Sequence, residues 1–208
     1  LDLDDIETLS SGWALRSDAA AIILAGGMSQ RMQSDKSTLP IEGAPMLAHI
    51  HRQLLPHFKQ TLISANDVDK YKFLGVAVVP DSIAGFGPLM GITSALQASE
   101  HELNFVTACD MPQVDMALVR RMLRAADGYD AVVPIAEGLI EPLFAIYHKS
   151  VIGVFQDAMA QGTRQIRAAF KGCNINYLDI SKSAPLKNLN TQEEYTGYIS
   201  ELTEDQKD

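Results

Sequence analysis

The sequence has little of what marks several protein classes. Its 208 residues contain only two cysteines, Cys109 and Cys173, whose separation excludes a CxxC metal knuckle and gives no disulfide framework. Glycine and proline, 14 and 9 residues, fall far below the share of about 25–30% that is typical of low-complexity chains. Acidic residues outnumber basic ones 26 to 17, for a net charge of −9, and no window clusters lysine and arginine. We therefore expect a compact globular protein of a reducing compartment, with neither nucleic acid nor membrane as a partner.

Long apolar runs are absent as well. No segment approaches the roughly 20 apolar residues of a membrane-spanning helix, and residues 1–18 are acidic where a secretory leader would be basic. We expect a cytoplasmic protein. The length favours one large domain, because about 150 residues per domain gives roughly 1.4 domains. We place that domain at residues 19–201, between an unassigned N-terminal extension at 1–18 and a polar tail at 202–208.

Strand-like and helix-like patterns alternate along most of the chain. Short apolar or β-branched runs predict strands at 20–24, 61–65, 76–79, 104–109, 131–134, 143–148 and 174–179. Apolar residues at helical spacing predict helices at 45–55, 89–98, 116–126, 150–160, 164–171 and 193–200. This alternation is typical of a single α/β domain, with a mostly parallel sheet covered by helices on both faces.

A glycine-rich segment follows the first predicted strand. Gly26 and Gly27 let backbone N–H groups approach phosphate oxygens without a Cβ in the way, and Arg31 and Lys36 add two cations. The segment therefore favours a phosphate-binding loop. A Walker A loop would need glycines at positions 30 and 35, which hold glutamine and aspartate, and the dinucleotide pattern GxGxxG is absent. The alternative is an ordinary turn between a strand and a helix.

Two further predicted strands lead into carboxylates. Asp81 opens a glycine-rich stretch that leads through Pro88 into a helix start, where free N–H groups can bind an anion. Asp110 follows a buried strand, at the edge where open α/β sheets bind ligands. One such carboxylate suffices for Mg²⁺ when substrate phosphates supply other ligands. The alternatives are a plain loop before a helix for the first segment, and a turn or capping role for Asp110.

Taken in order, these motifs resemble the molybdenum cofactor guanylyltransferases, which are nucleotidyltransferases of the nucleotide-diphospho-sugar, GT-A-like fold. The family's opening LAGGxSxRMGxDK corresponds to residues 24–36, with Gln33 where a glycine is usual. The other matches are Asp81 with GPLxGI at 87–92, CDxP at 109–112, EPLFAIY at 141–147, GTR at 162–164 and NLNT at 188–191. The similarity spans residues 20–200 and so covers most of the chain.

The resemblance implies transfer of GMP from GTP to the terminal phosphate of molybdopterin, with release of pyrophosphate. It implies that Lys36, Asp110 and Arg31 act in catalysis and that Asp110 binds Mg²⁺. Pro142 and Arg164 would border the pterin. The implied nucleotide contacts are Leu24, Ala25, Gly26, Gly27, Lys36, Asn66, Asp81, Asp110 and Asn190, the first four through their main chain. GTP and molybdopterin are the expected partners, and other cofactor-biosynthesis proteins and molybdoenzyme chaperones are candidates for further ones.

Two other functions stay open. One is a cytidylyltransferase or sugar nucleotidyltransferase on the same fold, although cytidylyl relatives carry alanine where this chain has Gly26. The other is a non-catalytic GTP-binding module that delivers the cofactor to a partner enzyme. The presence of Lys36 and Asp110 disfavours the non-catalytic module, because a protein that only binds GTP has no need of a metal-binding carboxylate.

Overall fold

The computed structural model describes residues 16–25, 36–83, 85–181 and 186–205. Its strands are β1 Ser17–Leu24, β2 Pro40–Ile41, β3 Ala44–Pro45, β4 Phe58–Ser64, β5 Ala77–Val79, β6 Leu103–Ala108, β7 Ala131–Ala136, β8 Leu139–Ile140, β9 Phe144–His148 and β10 Ile175–Asp179. Its α-helices are α1 Met46–Leu54, α2 Pro88–Ala98, α3 Met116–Arg124, α4 Val151–Ala160, α5 Ile166–Ala169 and α6 Gln192–Asp205. Short 3₁₀ helices lie at Lys36–Thr38, Asp69–Leu74 and Phe170–Gly172.

Within these residues, one large sheet has the strand order β10-β7-β9-β6-β1-β4-β5, with β8 paired to β7. β1 is parallel to both of its neighbours, β4 and β6, and β4 is parallel to β5. β9 is antiparallel to both β6 and β7. The predicted mostly parallel sheet is confirmed, and it is mixed because too few residues join β7 to β9 for a parallel crossover, which needs about a dozen.

Helices cover both faces of the sheet, as predicted. Along β1, Ala21 and Ile23 join one buried cluster, while Ile22 and Leu24 join the other, because successive strand residues point to opposite faces. Helices α1, α3 and α6 contribute to the first cluster, and α2, α4 and α5 contribute to the second. Because both its faces are packed, β1 is apolar at every position from Ala19 to Leu24.

Local sequence accounts for the starts of two helices. The carboxylate of Asp115 caps α3 by accepting hydrogen bonds from the backbone N–H groups of Ala117 at 2.9 Å and Leu118 at 3.0 Å. Pro88 is the first residue of α2 and follows Gly87, whose φ of 75° favours glycine. The helix start at Pro88 was expected from the sequence, and α2 thereby begins close to the sheet edge that carries Asp81.

The first strand and the last helix are longer than the sequence predicted. β1 begins at Ser17 and α6 continues to Asp205, so both predicted edges of the domain, 19 and 201, lie inside regular elements. The domain division itself stays a prediction. None of the helices in the described ranges is both long enough and apolar enough to cross a membrane.

Candidate active site

Four parallel strands deliver the predicted site residues to one edge of the sheet. Ala25 follows β1, Asn66 lies just beyond β4, Asp81 just beyond β5, and Asp110 just beyond β6. Parallel strands end at the same edge, and the strand order reverses at β1: the chain runs outward from β1 through β4 to β5 and then returns to β6 on the other side of β1. Such a reversal of strand order opens a crevice at the carboxyl ends of the strands, where α/β sheets bind ligands.

A lysine, an aspartate and an asparagine meet in this crevice. The ammonium of Lys36 donates hydrogen bonds to Asp110 Oδ2 at 3.2 Å and to Asn190 Oδ1 at 2.9 Å. The Lys36 side chain is 11% exposed and that of Asp110 is 25% exposed, so the ion pair is only partly screened by water. The structure thus brings together three predicted site residues that lie far apart in sequence.

Backbone hydrogen bonds fix the segment that carries Asp110. The N–H of Cys109 donates to the carbonyl of Leu24 at 2.9 Å, which continues the β1–β6 ladder one residue past β6. The carbonyl of Asp110 accepts from the N–H of Leu189 at 2.8 Å, which places Asn190 beside it. Burial raises the pKa of the Cys109 thiol to about 12, so this thiol is protonated at neutral pH and is no nucleophile.

A reciprocal cap at the start of α6 orients Asn190. Glu194 accepts hydrogen bonds from the backbone N–H groups of Asn190 at 2.5 Å and Thr191 at 2.9 Å, while the Thr191 hydroxyl accepts from the Glu194 N–H at 3.2 Å. This is a capping box, a threonine followed three residues later by glutamate. Glu194 was not predicted from the sequence, although the TxxE spacing at 191–194 is the signal that could have identified it.

Asn66 and Asp81 form a second group at the same edge. The Asp81 N–H donates to Asn66 Oδ1 at 2.8 Å, and Asn66 Nδ2 donates to Asp81 Oδ2 at 3.1 Å. Each side chain therefore holds the other in one orientation. Asn66 is exposed and Asp81 is half-buried, so both polar groups are accessible to a ligand.

Gly91 lets α2 approach this group closely. A Cβ added at Gly91 would lie 2.8 Å from Ser64 Oγ, 3.5 Å from Asp81 Oδ1 and 3.7 Å from Leu24 Cδ2. A Cβ at 2.8 Å would push the Ser64 hydroxyl aside, so the absence of a side chain at position 91 serves packing rather than backbone conformation. Asp81 and the end of β1 are therefore neighbours across the first turns of α2.

The main chain at the end of β1 is already engaged. The Ala25 N–H donates to the Ser64 carbonyl at 2.9 Å, and the Leu24 carbonyl accepts from Cys109. The Ala25 carbonyl accepts from the hydroxyl of Tyr71 at 3.3 Å. Each of these carbonyl oxygens keeps a second lone pair that can accept a hydrogen bond from a ligand. The Ala25 N–H has only one hydrogen, which is already donated to Ser64. The other predicted loop residues, Gly26, Gly27 and Arg31, lie outside the described residues.

Of the two residues predicted to border the pterin, Pro142 lies at the same edge, across β6. Because β9 is antiparallel, its first residue, Phe144, pairs with Thr107 near the end of β6, and Pro142 precedes it at the edge. Tyr147 donates to the Pro142 carbonyl at 2.8 Å. Arg164 lies 5.3 Å from the centre of the Phe86 ring, a cation–π contact that ties it to the glycine-rich stretch before α2.

The oxygen ligands at the Lys36 cluster fit a hard divalent cation. The Asp110 carboxylate and the Asn190 amide oxygen already share one positive charge, the Lys36 ammonium. Mg²⁺ prefers such oxygens and takes few from the protein, with phosphates and water completing its shell. No group of three His, Cys, Asp or Glu in the described part of the chain could hold a metal by itself. The arrangement suits an ion that arrives with substrate phosphates.

The partly buried Lys36–Asp110 pair lies at the switch point of a mostly parallel sheet, which is where open α/β proteins bind their ligands. Residues 21–175 match the family described as MobA-like NTP transferase domain. The chain is 34% identical over 160 residues to a protein of Pelotomaculum thermopropionicum named probable molybdenum cofactor guanylyltransferase, covering 77% of this chain and 78% of that one. It is 33% identical over 183 residues to the molybdenum cofactor guanylyltransferase of Pseudomonas putida, covering 86% and 96% of the two chains.

A solved structure agrees in fold. The crystal structure of molybdopterin-guanine dinucleotide biosynthesis protein A from Archaeoglobus fulgidus superposes with a TM-score of 0.76 at 23% identity, covering 89% of this chain and 99% of that one. The chain therefore belongs to the MobA-like NTP transferases, as its motifs predicted. It has the nucleotide-diphospho-sugar transferase fold, and NTP transferases generally use a divalent metal.

Proposed function

We propose that this protein transfers GMP from GTP to the terminal phosphate of molybdopterin, forming molybdopterin guanine dinucleotide. An oxygen of the acceptor phosphate attacks the α-phosphorus of GTP and forms the new P–O bond. The bond from that phosphorus to the bridging oxygen breaks, and its electron pair leaves with pyrophosphate. The observation that carries the proposal is the cluster of Lys36, Asp110 and Asn190 at the carboxyl edge of β1 and β6. Relatives named for this activity support it.

Positioning and charge neutralisation are the main catalytic needs, because an anion must approach a triphosphate. Of the three N–H bonds of the Lys36 ammonium, two go to Asp110 and Asn190, and we assign the third to a triphosphate oxygen. Asp110, with Asn190, would hold Mg²⁺, which when bound neutralises phosphate charge. Arg31 is assigned to the phosphates as well.

The nucleotide side of the site is assigned to the ends of β1, β4 and β5. Asn66 and Asp81, fixed by their mutual hydrogen bonds, would contact the nucleotide, and the main chain of residues 24–27 would hold the guanine and ribose. Pro142, across β6, and Arg164, beside the glycine-rich stretch before α2, would border the pterin. The donor and the acceptor would then meet above Asp110, between the two sides.

A nucleotide panel tests the base. Isothermal calorimetry with GTP, CTP and ATP, each with and without Mg²⁺, should give clearly tighter binding for GTP, because a site built to hydrogen-bond one base rejects others by up to about 10⁴–10⁵. Binding of CTP equal to or tighter than that of GTP would overturn the guanylyl assignment. Pyrophosphate release with GTP and molybdopterin tests transfer, and its absence would favour the non-catalytic module.

Two substitutions test the cluster. Lys36→Ala should weaken GTP binding and turnover with the fold intact, whereas Lys59→Ala is the matched control, because Lys59 pairs with Asp18 at the opposite edge of the sheet. Asp110→Asn should lower the rate by roughly 10²–10³, the scale of one preorganised electrostatic group, with little change in thermal stability. If Asp110→Asn lowers stability and spares the rate, the carboxylate is a structural cap.

A further inference from the structure

The hydroxyl of Tyr71 joins two points of the chain that lie on either side of residues 26–35. Tyr71 Oη lies 3.3 Å from the carbonyl oxygen of Ala25 and 2.8 Å from Ser37 Oγ. Ala25 is the residue that follows β1. Ser37 is the residue after Lys36, at the start of the 3₁₀ helix Lys36–Thr38. One side chain therefore bridges the place where the main chain enters the predicted nucleotide loop and the place where it leaves.

The direction of the two hydrogen bonds follows from the chemistry of the groups. A carbonyl oxygen only accepts, so the Tyr71 hydroxyl donates its single proton to Ala25. The Ser37 hydroxyl then donates to Tyr71 Oη, which makes a continuous chain from Ser37 to Ala25. Burial raises the pKa of Tyr71, which keeps this phenol protonated at neutral pH and able to donate.

The hydrogen bonds that Tyr71 makes to Ala25 and Ser37 lie in the interior of the protein. Tyr71 is 2% exposed and Ser37 is 1% exposed, so water does not compete for these hydrogen bonds. Tyr71 lies on the 3₁₀ helix Asp69–Leu74, in the connection between β4 and β5, and its ring packs in the cluster that contains Ile23 and Ala25. The β4–β5 connection, which also carries Asn66, is thereby tied to both ends of the loop.

We propose that Tyr71 is a positioning residue for nucleotide binding, which fixes the Ala25 carbonyl relative to Ser37 and hence to the neighbouring Lys36. Ala25 is assigned to the nucleoside and Lys36 to the phosphates, so the hydroxyl sets the distance between the two halves of the nucleotide site. This inference rests on the proposed function. It adds a residue that the motifs do not contain, in a segment that the sequence analysis left unassigned.

The first test is Tyr71→Phe, which keeps the buried ring and removes only the hydroxyl. We expect GTP affinity, measured by calorimetry with Mg²⁺, to fall by about 3–10-fold, the range for losing one neutral hydrogen bond. The KM for GTP should rise by a similar factor, with kcat and the KM for the acceptor within twofold of wild type. Tyr198→Phe is the matched control, since it removes the hydroxyl of another buried tyrosine, on α6.

A double-mutant cycle with Ser37→Ala separates positioning from general loosening. If both hydroxyls act through one bridge, Tyr71→Phe and Ser37→Ala together should cost no more GTP affinity than the larger single effect. Additive losses would overturn the inference, as would a Tyr71→Phe variant that binds GTP as tightly as wild type. A wild-type protein that binds no GTP would instead overturn the proposed function, and this inference with it. Unfolding midpoints of all variants show whether each is folded at the assay temperature.

Discussion

Replacing Gly91 by alanine puts the close packing of α2 against the sheet to a quantitative test. In an open helix position this change stabilises by about 1 kcal/mol, because alanine loses less backbone entropy than glycine. At Gly91 the new methyl group would lie 2.8 Å from Ser64 Oγ, and relieving such overpacking costs about 1–3 kcal/mol. We therefore expect a net destabilisation of about 0–2 kcal/mol, together with weaker GTP binding, because Asp81 lies next to the added group.

Two matched variants isolate the cause. Gly153 is also a helical glycine, on α4, but a Cβ there would meet no atom within 4 Å, so Gly153→Ala should stabilise by up to about 1 kcal/mol. In Gly91→Ala combined with Ser64→Ala, the nearest remaining atom would be Asp81 Oδ1 at 3.5 Å, an ordinary contact, so stability should recover. Urea unfolding followed by circular dichroism gives the free energies. If Gly91→Ala stabilises as much as Gly153→Ala, α2 does not need a glycine at position 91 to pack against the sheet, contrary to the expectation.

Two further predictions concern the cap at α6 and the histidines of α1. Glu194→Ala should weaken GTP binding, because Asn190 loses the acceptor that orients its backbone. Glu194→Gln keeps an acceptor oxygen and should bind GTP nearly as well as wild type. Calorimetry measures both affinities, and equal losses would contradict the capping role. Burial lowers the pKa of His51 below the usual 6.5, so the unfolded state binds more protons at mildly acid pH, and the free energy of unfolding should fall as the pH drops below about 6.5. Urea titrations at pH 7 and 5.5 measure that fall in the free energy of unfolding. His51→Leu should reduce the fall only in part, because burial also lowers the pKa values of His49 and His57. An unchanged fall in His51→Leu would show that His51 does not contribute to the pH dependence.

The sheet edge was predictable because it depends on local patterns. Apolar runs ending in Asn66, Asp81 and Asp110 mark the carboxyl ends of strands, and parallel strands bring their ends to one edge whatever their order. The antiparallel direction of β9 was not predicted, although the short connection from β7 carried the signal. Seven predicted strands that alternate with helical patterns suggest parallel strands joined by crossovers. Only the number of residues in each connection shows that the one between β7 and β9 is too short for a crossover.

The contacts within the site were harder to predict, since they depend on tertiary packing. Asn190 reaches Lys36 across most of the chain, and no spacing rule connects them; the family resemblance alone pointed to Asn190. Tyr71 stands in a short polar segment where its sequence context favours no particular partner. Its hydroxyl acquires a function only once the fold has placed the β4–β5 connection under the end of β1.

The pairing of β6 with β9 is the seam between two halves of the sheet. Among the described strands, β1, β4, β5 and β6 lie on one side of this seam and β7, β8, β9 and β10 on the other. The rings of Phe105 and Phe144 meet edge to face across it, 4.9 Å apart. Asp110 and Pro142 emerge on opposite sides of the same seam, so the local twist of these two strands sets the width of the gap that the proposed function assigns to the two substrates. We expect the backbone amides of β6 and β9 to be among the slowest in the protein to exchange with deuterium. Weaker pairing of these two strands would change the distance between the proposed donor and acceptor sites.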